Sequence, residues 1–446
     1  MKLININSEF KNVAAVTLTS LLTQAITALI LPILTRIYSP SDFAKFAIFT
    51  SILAIVGSLA SLKFDIAISI SDENDTNVLL VICLITSIIS GLILFFIILI
   101  YLLLNTLNDT FNPYLNWYWM IPIGVIFIAV NEAFNNFSIR KSDFYSLSIN
   151  KLISTIVGST LQIFLGKLGI LPLGLLVGFI SKSIVGAILQ FFKYRNEVTK
   201  CLNRFNVLTA LNTIRKYRKF PRQLTLEAVA NTSGAQVPIL LLATLSHSPD
   251  AGYFMLAMSA MALPMSLIGI SISQVFVSQA MEEKNSSNIA KLAVATIKRL
   301  FKIGVGPLIM IGIIAPELFQ IFFGEKWQRS GDLVQWMTPW FILQFISAPI
   351  AIILHITNNS DLSLKIQIQG LIIRVIFVII GLYIIRMYSA QLLAVASAIY
   401  YLLLLNGIMK SISISYKGLL TDIKAIFLQI GIWVFIGFCI KLTLNV

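Results

Sequence analysis

Charged residues inside long apolar runs are the positions of this sequence that are best suited to chemistry. Lys182 lies near the middle of one run, and Arg374 lies near the middle of another. A charge at such a depth in a bilayer is costly, so each residue is a candidate functional site. Arginine can bind phosphate oxygens in a bidentate manner, and lysine binds them as a point charge. The two residues therefore predict a cationic cavity for a phosphate or pyrophosphate group.

Other polar residues at similar depth are candidates for the same cavity. Glu132 lies inside the fourth apolar run and Glu227 one turn into the seventh, which makes both candidate ion-coupling residues. Amide side chains are also costly in lipid, and they can bind sugar hydroxyls. The second half of the chain holds three such candidates: Gln274, Gln344 and Gln367.

The same charges could instead have structural roles. Buried charges usually persist when they are paired, and Glu132 could pair with Lys182 or Lys151. Lys151 and Arg140 also lie near the inner ends of their runs, from where long side chains can reach the lipid headgroups. Pairing, snorkelling and ligand binding are all compatible with the sequence.

The elements that must position these residues are membrane-spanning helices. Hydrophobic residues make up 57% of the 446 positions, charged residues only 12%, and the mean hydropathy is +0.89. Soluble domains carry about 25% charged residues, so most of this surface faces lipid. Thirteen apolar runs approach or exceed the length of about 20 residues that a bilayer requires. They lie at 12–36, 43–64, 77–104, 117–139, 145–166, 169–192, 223–245, 251–279, 300–323, 333–357, 363–385, 390–412 and 424–443.

The two halves of the chain share a sequence pattern. In each half a Pro-Ile-Leu triplet (32–34 and 238–240) closes a run, and a Ser-Pro segment followed by Asp (39–42 and 248–250) opens the next. Such a repeat indicates two equivalent lobes. We expect an all-α integral membrane protein whose two six-helix lobes are related by a pseudo-twofold axis along the membrane normal. The predicted parts are an N-terminal lobe at 1–192, a basic cytoplasmic linker at 193–222, a C-terminal lobe at 223–416 and an extra apolar helix at 417–446.

The basic residues predict the orientation. If the N-terminus is cytoplasmic, 23 lysines and arginines lie in cytoplasmic segments and six lie on the opposite side, as the positive-inside rule requires. The net charge of +14 follows from this bias, so no nucleic-acid partner is needed to explain it. Tryptophans such as Trp327 and Trp340 are expected in the interfacial belt at the outer end.

Several functions lack support in the sequence. It contains no Walker-type glycine loop, and 193–222 is too short for a nucleotide-binding domain. Three distant cysteines and two histidines provide neither a disulfide framework nor metal-ligand spacing. The loops predicted on the outer side offer no close pair of acids for proton transfer. We therefore expect a transporter rather than an enzyme, without a cofactor or a metal.

Segments in both halves resemble a known family. The sequence Leu-Thr-Arg-Ile-Tyr-Ser-Pro-Ser-Asp-Phe at 34–43 is similar to the Leu-Thr-Arg-x-Tyr-Ser-Pro-x-Asp-Phe-Gly signature of the Wzx-type flippases, with Ala44 in place of the glycine. These flippases form part of the polysaccharide transporter family, within the multidrug/oligosaccharidyl-lipid/polysaccharide exporter superfamily. Further matches lie at 63–67, 140–144, 217–221, 269–276, 323–327 and 339–340.

The resemblance implies a function and partners. It implies that the chain moves an undecaprenyl-pyrophosphate-linked oligosaccharide, an O-antigen (lipopolysaccharide) or capsule repeat unit, across the bacterial inner membrane by alternating access. Membrane lipids and the polymerase and chain-length proteins of the same pathway are the implied partners. Basic residues within the matches, Arg36, Lys63 and Arg140, join Lys182 and Arg374 as predicted substrate-binding residues. With its thirteenth apolar run, the sequence predicts one helix more than the twelve that are usual in the family.

Two other functions compete with this one. An ion-coupled multidrug exporter of the same fold would favour acids and aromatic residues in its cavity, whereas the deep charges here include cations. A membrane-embedded glycosyltransferase or polymerase would be expected to carry a sizeable outer loop, and this sequence has none.

Overall fold

The computed structural model describes residues 6–106, 117–203, 206–245, 249–282, 286–357, 359–385, 388–414 and 416–444, and the regular structure in these ranges is helical. The helices are α1 (Ile6–Ile37), α2 (Pro40–Ala60), α3 (Phe64–Ile70), α4 (Glu73–Thr106), α5 (Met120–Arg140), α6 (Phe144–Lys167), α7 (Leu173–Asn203), α8 (Val207–Lys216), α9 (Thr225–Leu245), α10 (Asp250–Glu282), α11 (Ser286–Leu300), α12 (Gly306–Phe323), α13 (Gln328–Ser347), α14 (Ile353–Ile356), α15 (Ser360–Tyr383), α16 (Ser389–Ser411) and α17 (Tyr416–Leu444). Each predicted apolar run corresponds to one of these helices, which confirms the all-α fold.

The helix starts follow local capping chemistry. At the start of α2 the backbone N–H of Ser39 donates to Asp42 Oδ2 at 2.9 Å, and the N–H of Asp42 donates to Ser39 Oγ at 3.3 Å. This reciprocal pair is a capping box, and Pro40 occupies the first helical position, where its missing N–H costs nothing. Asp143 caps α6 and Asn206 caps α8 in the simpler one-bond manner.

Eleven helices of the described chain are long and apolar enough to cross a membrane, so the protein is a multi-pass membrane protein. The predicted extra helix is present as α17, whose described apolar part is Gln429–Leu444. The predicted linker at 193–222 is mostly helical rather than a loop. α7 continues to Asn203, and the amphipathic α8 begins at Val207.

Internal contacts divide the chain into two units. Unit 1 comprises Met1–Ile30 and Phe49–Thr232, and unit 2 comprises Leu31–Ile48 and Ser233–Val446. The chain therefore changes unit within α1, α2 and α9. The predicted lobe boundaries at 192 and 223 rest on sequence similarity, whereas these two units rest on packing. The lobe boundaries therefore stay predictions.

Each unit has its own apolar core. In unit 1, α6 packs along α7 and α4 packs along α5, around a cluster that includes Phe64, Phe134 and Phe137. In unit 2, α12 packs against α13 and α17, and α15 packs against α16. A buried cluster of unit 2 includes Phe276 and Tyr400.

Candidate functional site

Lys182 projects from the face of α7 that packs against α5 and α6. Gly178 and Gly186 lie one turn to either side of it on the same face. A Cβ on Gly178 would overlap the Gln162 side chain of α6, and one on Gly186 would overlap the amide of Asn131 on α5. The two glycines therefore bring the three helices close together around Lys182.

Lys151 lies near Lys182, on the neighbouring helix. Gly158 of α6 faces the Lys182 stem, since a Cβ on this glycine would lie 3.1 Å from Lys182 Cβ. Lys151 precedes Gly158 by two turns on the same face of α6, and the charges of the two lysines interact. The Lys182 side chain is exposed and that of Lys151 is half-buried. Unit 1 thus holds two like charges that can share one anion.

Polar atoms without a partner surround these lysines along α5 and α6. Buried acceptors with no hydrogen-bond donor are Asn131 Oδ1, Asn150 Oδ1, Ser148 Oγ and Thr155 Oγ1. A buried polar atom without a partner is costly, and such atoms often mark a ligand or water site. We name Asn131, Lys151, Thr155 and Lys182 the α6–α7 polar site.

Glu132 is exposed and held by amides. Asn135 Nδ2 lies 3.5 Å from Glu132 Oε2, and Asn136 Nδ2 donates to the Glu132 carbonyl at 3.1 Å. These described contacts include neither Lys151 nor Lys182, so the internal ion pair considered from the sequence is not formed. Ser69 of α3 donates to Asn136 Oδ1 at 2.7 Å, which fixes this stretch of α5 against α3.

A hydrogen-bonded chain links this region to the start of α6. Gln190 Nε2 donates to Asn135 Oδ1 at 2.7 Å, and Ser138 Oγ donates to Gln190 Oε1 at 3.2 Å. The Tyr194 hydroxyl lies 3.1 Å from Ser138 Oγ and 2.9 Å from Asp143 Oδ2. These hydrogen bonds tie α5, α6 and α7 together. The sequence did not predict them, because the bonded residues lie on different helices and are far apart in sequence.

Asp143 is the charged residue at the end of this series of hydrogen bonds. Burial raises the pKa of its carboxyl, but hydrogen bonds from Lys193 and Tyr194 lower the pKa, which lies below its usual value overall. Lys193 forms an ion pair with Asp143, and the Ser146 N–H donates to the same carboxylate. Asp143 is therefore ionised and structural.

A cavity of about 460 Å³ lies inside unit 2 between α10 and α13. Its walls are mainly apolar, with Met258, Met265 and Phe341 among them, and Gln274 and Gln344 contribute amides. Gln344 Oε1 is buried and has no donor. Two of the three predicted glutamines therefore meet in one cavity, whereas Gln367 does not line it.

Arg374 lies elsewhere in unit 2 and is only 6% exposed. Its Nε donates to Ser397 Oγ at 3.1 Å and its Nη1 donates to the Gly234 carbonyl at 2.9 Å. Gln367, two turns earlier on α15, donates to Ser363 Oγ at 3.3 Å. Arg374 lines none of the described cavities, and its binding of substrate stays a prediction.

The remaining predicted residues are dispersed. Arg36 is exposed in the last turn of α1, and Lys63 precedes α3 with a left-handed backbone (φ 57°). Arg140 ends α5, where its charge helps to lower the pKa of Asp72, after the larger effect of Lys216. Glu227 is half-buried in the first turn of α9. No described hydrogen bond or ion pair joins Lys63 or Arg140 to the α6–α7 polar site.

The two tryptophans expected in the interfacial belt are buried. Trp327 is 0% exposed, and its ring meets Phe43 edge-on at 4.9 Å and Tyr253 edge-on at 5.9 Å. Trp340 is stacked on Phe254 at 5.9 Å. Both rings therefore pack inside unit 2 and do not face the lipid headgroups, while their depth in the membrane stays a prediction.

The two repeated Ser-Pro segments meet within unit 2. A Cβ on Gly252 would overlap the Pro40 carbonyl, so the start of α10 lies directly against the start of α2. Asp250 accepts from Arg329 Nε at 2.7 Å in the same region. The repeat was visible in the sequence, but the contact between its copies was not.

Comparison with known proteins identifies the family. Residues 33–332 match the profile of the polysaccharide biosynthesis protein family. No curated protein sequence matches the chain significantly.

Solved structures share the fold at low sequence identity. The lipid II flippase MurJ in an inward closed conformation aligns with a TM-score of 0.67 and 14% identity, covering 96% of this chain and 97% of MurJ. An inward-facing multidrug resistance MATE transporter aligns at 0.61 and 15% identity, covering 90% and 96% of the respective chains. A MOP superfamily transporter from Pyrococcus furiosus, described as having a binding pocket of reversed polarity, aligns at 0.55 and 14% identity, covering 90% and 94%. With its membrane-spanning helices and matching profile, the chain belongs to the polysaccharide biosynthesis protein family and has the fold of the MOP superfamily transporters.

Proposed function

We propose that this protein is a flippase that moves an undecaprenyl-pyrophosphate-linked oligosaccharide, such as an O-antigen or capsule repeat unit, across the bacterial inner membrane. Membership of a polysaccharide biosynthesis family in a multi-pass transporter fold supports a lipid-linked saccharide as the cargo. The N-terminus lies in the cytoplasm, as the excess of basic residues in the corresponding segments indicates.

The observation that carries the proposal is the pair Lys151 and Lys182. Neither has a carboxylate partner among the described contacts, and Lys182, near the middle of its apolar run, is costly there unless it binds an anion. A pyrophosphate supplies that anion, and its two phosphates suit two point charges on neighbouring helices. Orphaned acceptors at Asn131 and Thr155 accept hydrogen bonds from water or from saccharide hydroxyls.

The unit 2 cavity is suited to the saccharide itself. Sugar rings combine apolar C–H faces with hydroxyl edges. The apolar wall that includes Phe341 and the unpartnered Gln344 amide oxygen match these two properties. Glu132, exposed and held only by amides in its described contacts, is the candidate for binding a coupling ion.

The test is transport of a fluorescent lipid-linked oligosaccharide in reconstituted vesicles. Lys182→Gln and Lys151→Gln should each reduce the rate at least tenfold while protein abundance stays normal, and Lys182→Arg should retain most activity. Lys167→Gln, at the exposed far end of α6, is the matched control. Normal transport by the double glutamine variant contradicts the proposal. Efflux of cationic dyes without lipid transport would instead identify an ion-coupled drug exporter.

The orientation has a separate test. A periplasm-dependent reporter fused after residue 205 should be inactive, whereas one fused in the segment between α4 and α5 should be active. The reverse result would overturn the proposed topology without bearing on the cargo.

A further inference from the structure

Pro238 leaves one carbonyl of α9 without its usual donor. In an α-helix the N–H of each residue donates to the carbonyl four residues earlier, and proline has no N–H. Pro238 lies inside α9, so the residue whose carbonyl loses its partner is Gly234. A buried carbonyl without a donor is costly, and the cost is greater where no water is available.

Arg374 supplies the missing donor. Its Nη1 lies 2.9 Å from the Gly234 carbonyl oxygen. α9 and α15 are in van der Waals range at this point, because a Cβ on Gly234 would lie 3.6 Å from Arg374 Nη1 and 3.9 Å from Leu371 Cβ. The guanidinium on α15 thus completes the hydrogen bonding that Pro238 removes from α9.

The guanidinium is held in place from its other sides. Nε donates to Ser397 Oγ on α16 at 3.1 Å, and the Arg374 Cζ lies 4.1 Å from the centre of the Tyr400 ring. A planar guanidinium can bond in its plane and stack on an aromatic face at once, which an ammonium cannot do. Arg374 therefore joins three helices of unit 2 without a carboxylate among its described contacts.

The position of this contact along the chain is informative. The chain passes from unit 1 to unit 2 between Thr232 and Ser233, one residue before Gly234. A proline inside a helix weakens the ladder at that point and permits bending there. The bond from Arg374 is made by a residue of unit 2 to the first turn of α9 that belongs to unit 2.

We propose that Arg374 is a positioning residue that fixes the proline-weakened turn of α9, Gly234–Pro238, rather than a ligand for the transported substrate. It sets the geometry of α9 from Gly234 onwards, within unit 2, and the transport rate depends on that geometry. Its importance is conditional on Pro238, because an N–H at position 238 would satisfy the Gly234 carbonyl within α9. This inference goes beyond the proposed function and does not depend on the cargo.

The test is a double-mutant cycle between Arg374→Ala and Pro238→Ala, measured by thermal unfolding in detergent and by transport at matched protein levels. Arg374→Ala alone should lower both the melting temperature and transport, with a loss of at least tenfold in the rate. In a protein that already carries Pro238→Ala, adding Arg374→Ala should lower the transport rate no more than about threefold. Arg374→Lys should lie between, since an ammonium can reach one acceptor but loses the stacking.

Pro264→Ala is the matched control, because Pro264 lies inside α10 of the same unit and its replacement leaves the Gly234 carbonyl unchanged. It should not suppress the effect of Arg374→Ala. The proposal is overturned if Arg374→Ala lowers the melting temperature and the transport rate by the same amounts with and without Pro238→Ala. A stable but inactive Arg374→Ala variant that Pro238→Ala fails to rescue would identify Arg374 as a substrate ligand. The unfolding measurement stands even if the protein carries no lipid-linked saccharide.

Discussion

The indole N–H of Trp327 donates to the backbone carbonyl of Thr35 at 3.0 Å. In an uninterrupted helix that carbonyl would accept from the N–H of Ser39, but Ser39 donates to Asp42 in the capping box of α2. The turn after α12 thus satisfies the end of α1. The segment Leu31–Ile48 is held within unit 2 by this bond and by the aromatic contacts of Trp327.

Trp327→Phe should therefore destabilise the protein. The substitution keeps most of the ring packing but leaves the Thr35 carbonyl, which belongs to a buried residue, without a donor. Loss of a buried hydrogen-bond partner costs about 1–3 kcal/mol, and thermal unfolding in detergent measures it. Trp336→Phe is the control because Trp336 is exposed on α13. Equal shifts in melting temperature for the two variants would contradict the role given to the indole N–H.

The sequence predicted the fold well because lipid imposes simple rules. Each span needs a long apolar run, so the runs indicated the helices directly. The sequence did not predict α8, because its amphipathic pattern lies in a polar stretch that is typical of a loop. The partners of single side chains, such as Gly234 for Arg374, depend on how helices pack, and residues 140 positions apart give no local signal.

The candidate site was predictable only in part. Depth in an apolar run singled out Lys182 and Arg374 as candidates, but depth alone does not distinguish a ligand from a structural donor. Arg374 has described acceptors and an aromatic neighbour, whereas Lys182 has an exposed side chain beside another cation. Gln274 and Gln344 converge on one cavity because α10 packs against α13, which their spacing does not reveal.

Gln344→Leu should lower transport without lowering stability. Gln344 Oε1 is buried without a donor, so an apolar side chain of similar size removes a desolvation cost from the folded state. The melting temperature should stay constant or rise, while transport of the oligosaccharide falls several-fold.

Gln190→Leu is the contrasting variant. Gln190 bonds both Asn135 and Ser138, so its loss strands two polar groups and should cost about 1–3 kcal/mol. If Gln344→Leu were as destabilising as Gln190→Leu, the Gln344 amide would have a structural partner and the proposed saccharide contact would lose its basis.

The ion pair of Asp143 predicts an acid-dependent loss of stability. The pKa of Asp143 is lower in the folded protein than the value of about 3.9 expected in the unfolded chain. The contribution of Asp143 to the free energy of unfolding is therefore fully present above about pH 4. It is lost as the pH falls through the lower pKa that Asp143 has in the folded protein. Thermal unfolding measured between pH 7 and pH 3 should show this loss.

Substitutions of Asp143 separate its charge from its capping role. Asp143→Asn should remove the part of the acid dependence that Asp143 contributes, and it should cost less than about 1 kcal/mol at pH 7, because asparagine still caps α6 and Lys193 is partly exposed. Asp143→Ala should cost about 1 kcal/mol more through loss of the cap. An unchanged pH profile in the asparagine variant would refute the assignment to Asp143.

The ion pair between Lys441 and Glu317 predicts how the extra helix is attached. Lys441 Nζ of α17 lies 3.3 Å from Glu317 Oε1 of α12, and the Glu317 side chain is 12% exposed. Lys441→Ala would leave this largely buried carboxylate without its counter-charge, at a cost of about 1–3 kcal/mol and with reduced protein abundance. The double change Lys441→Met and Glu317→Gln should restore abundance, since no charge is then left unpaired. Lys326→Ala, which removes a cation from the turn after α12, is the control and should have little effect. If the double variant were no more abundant than Lys441→Ala alone, α17 would be attached mainly by packing such as that of Trp433 on Gly306.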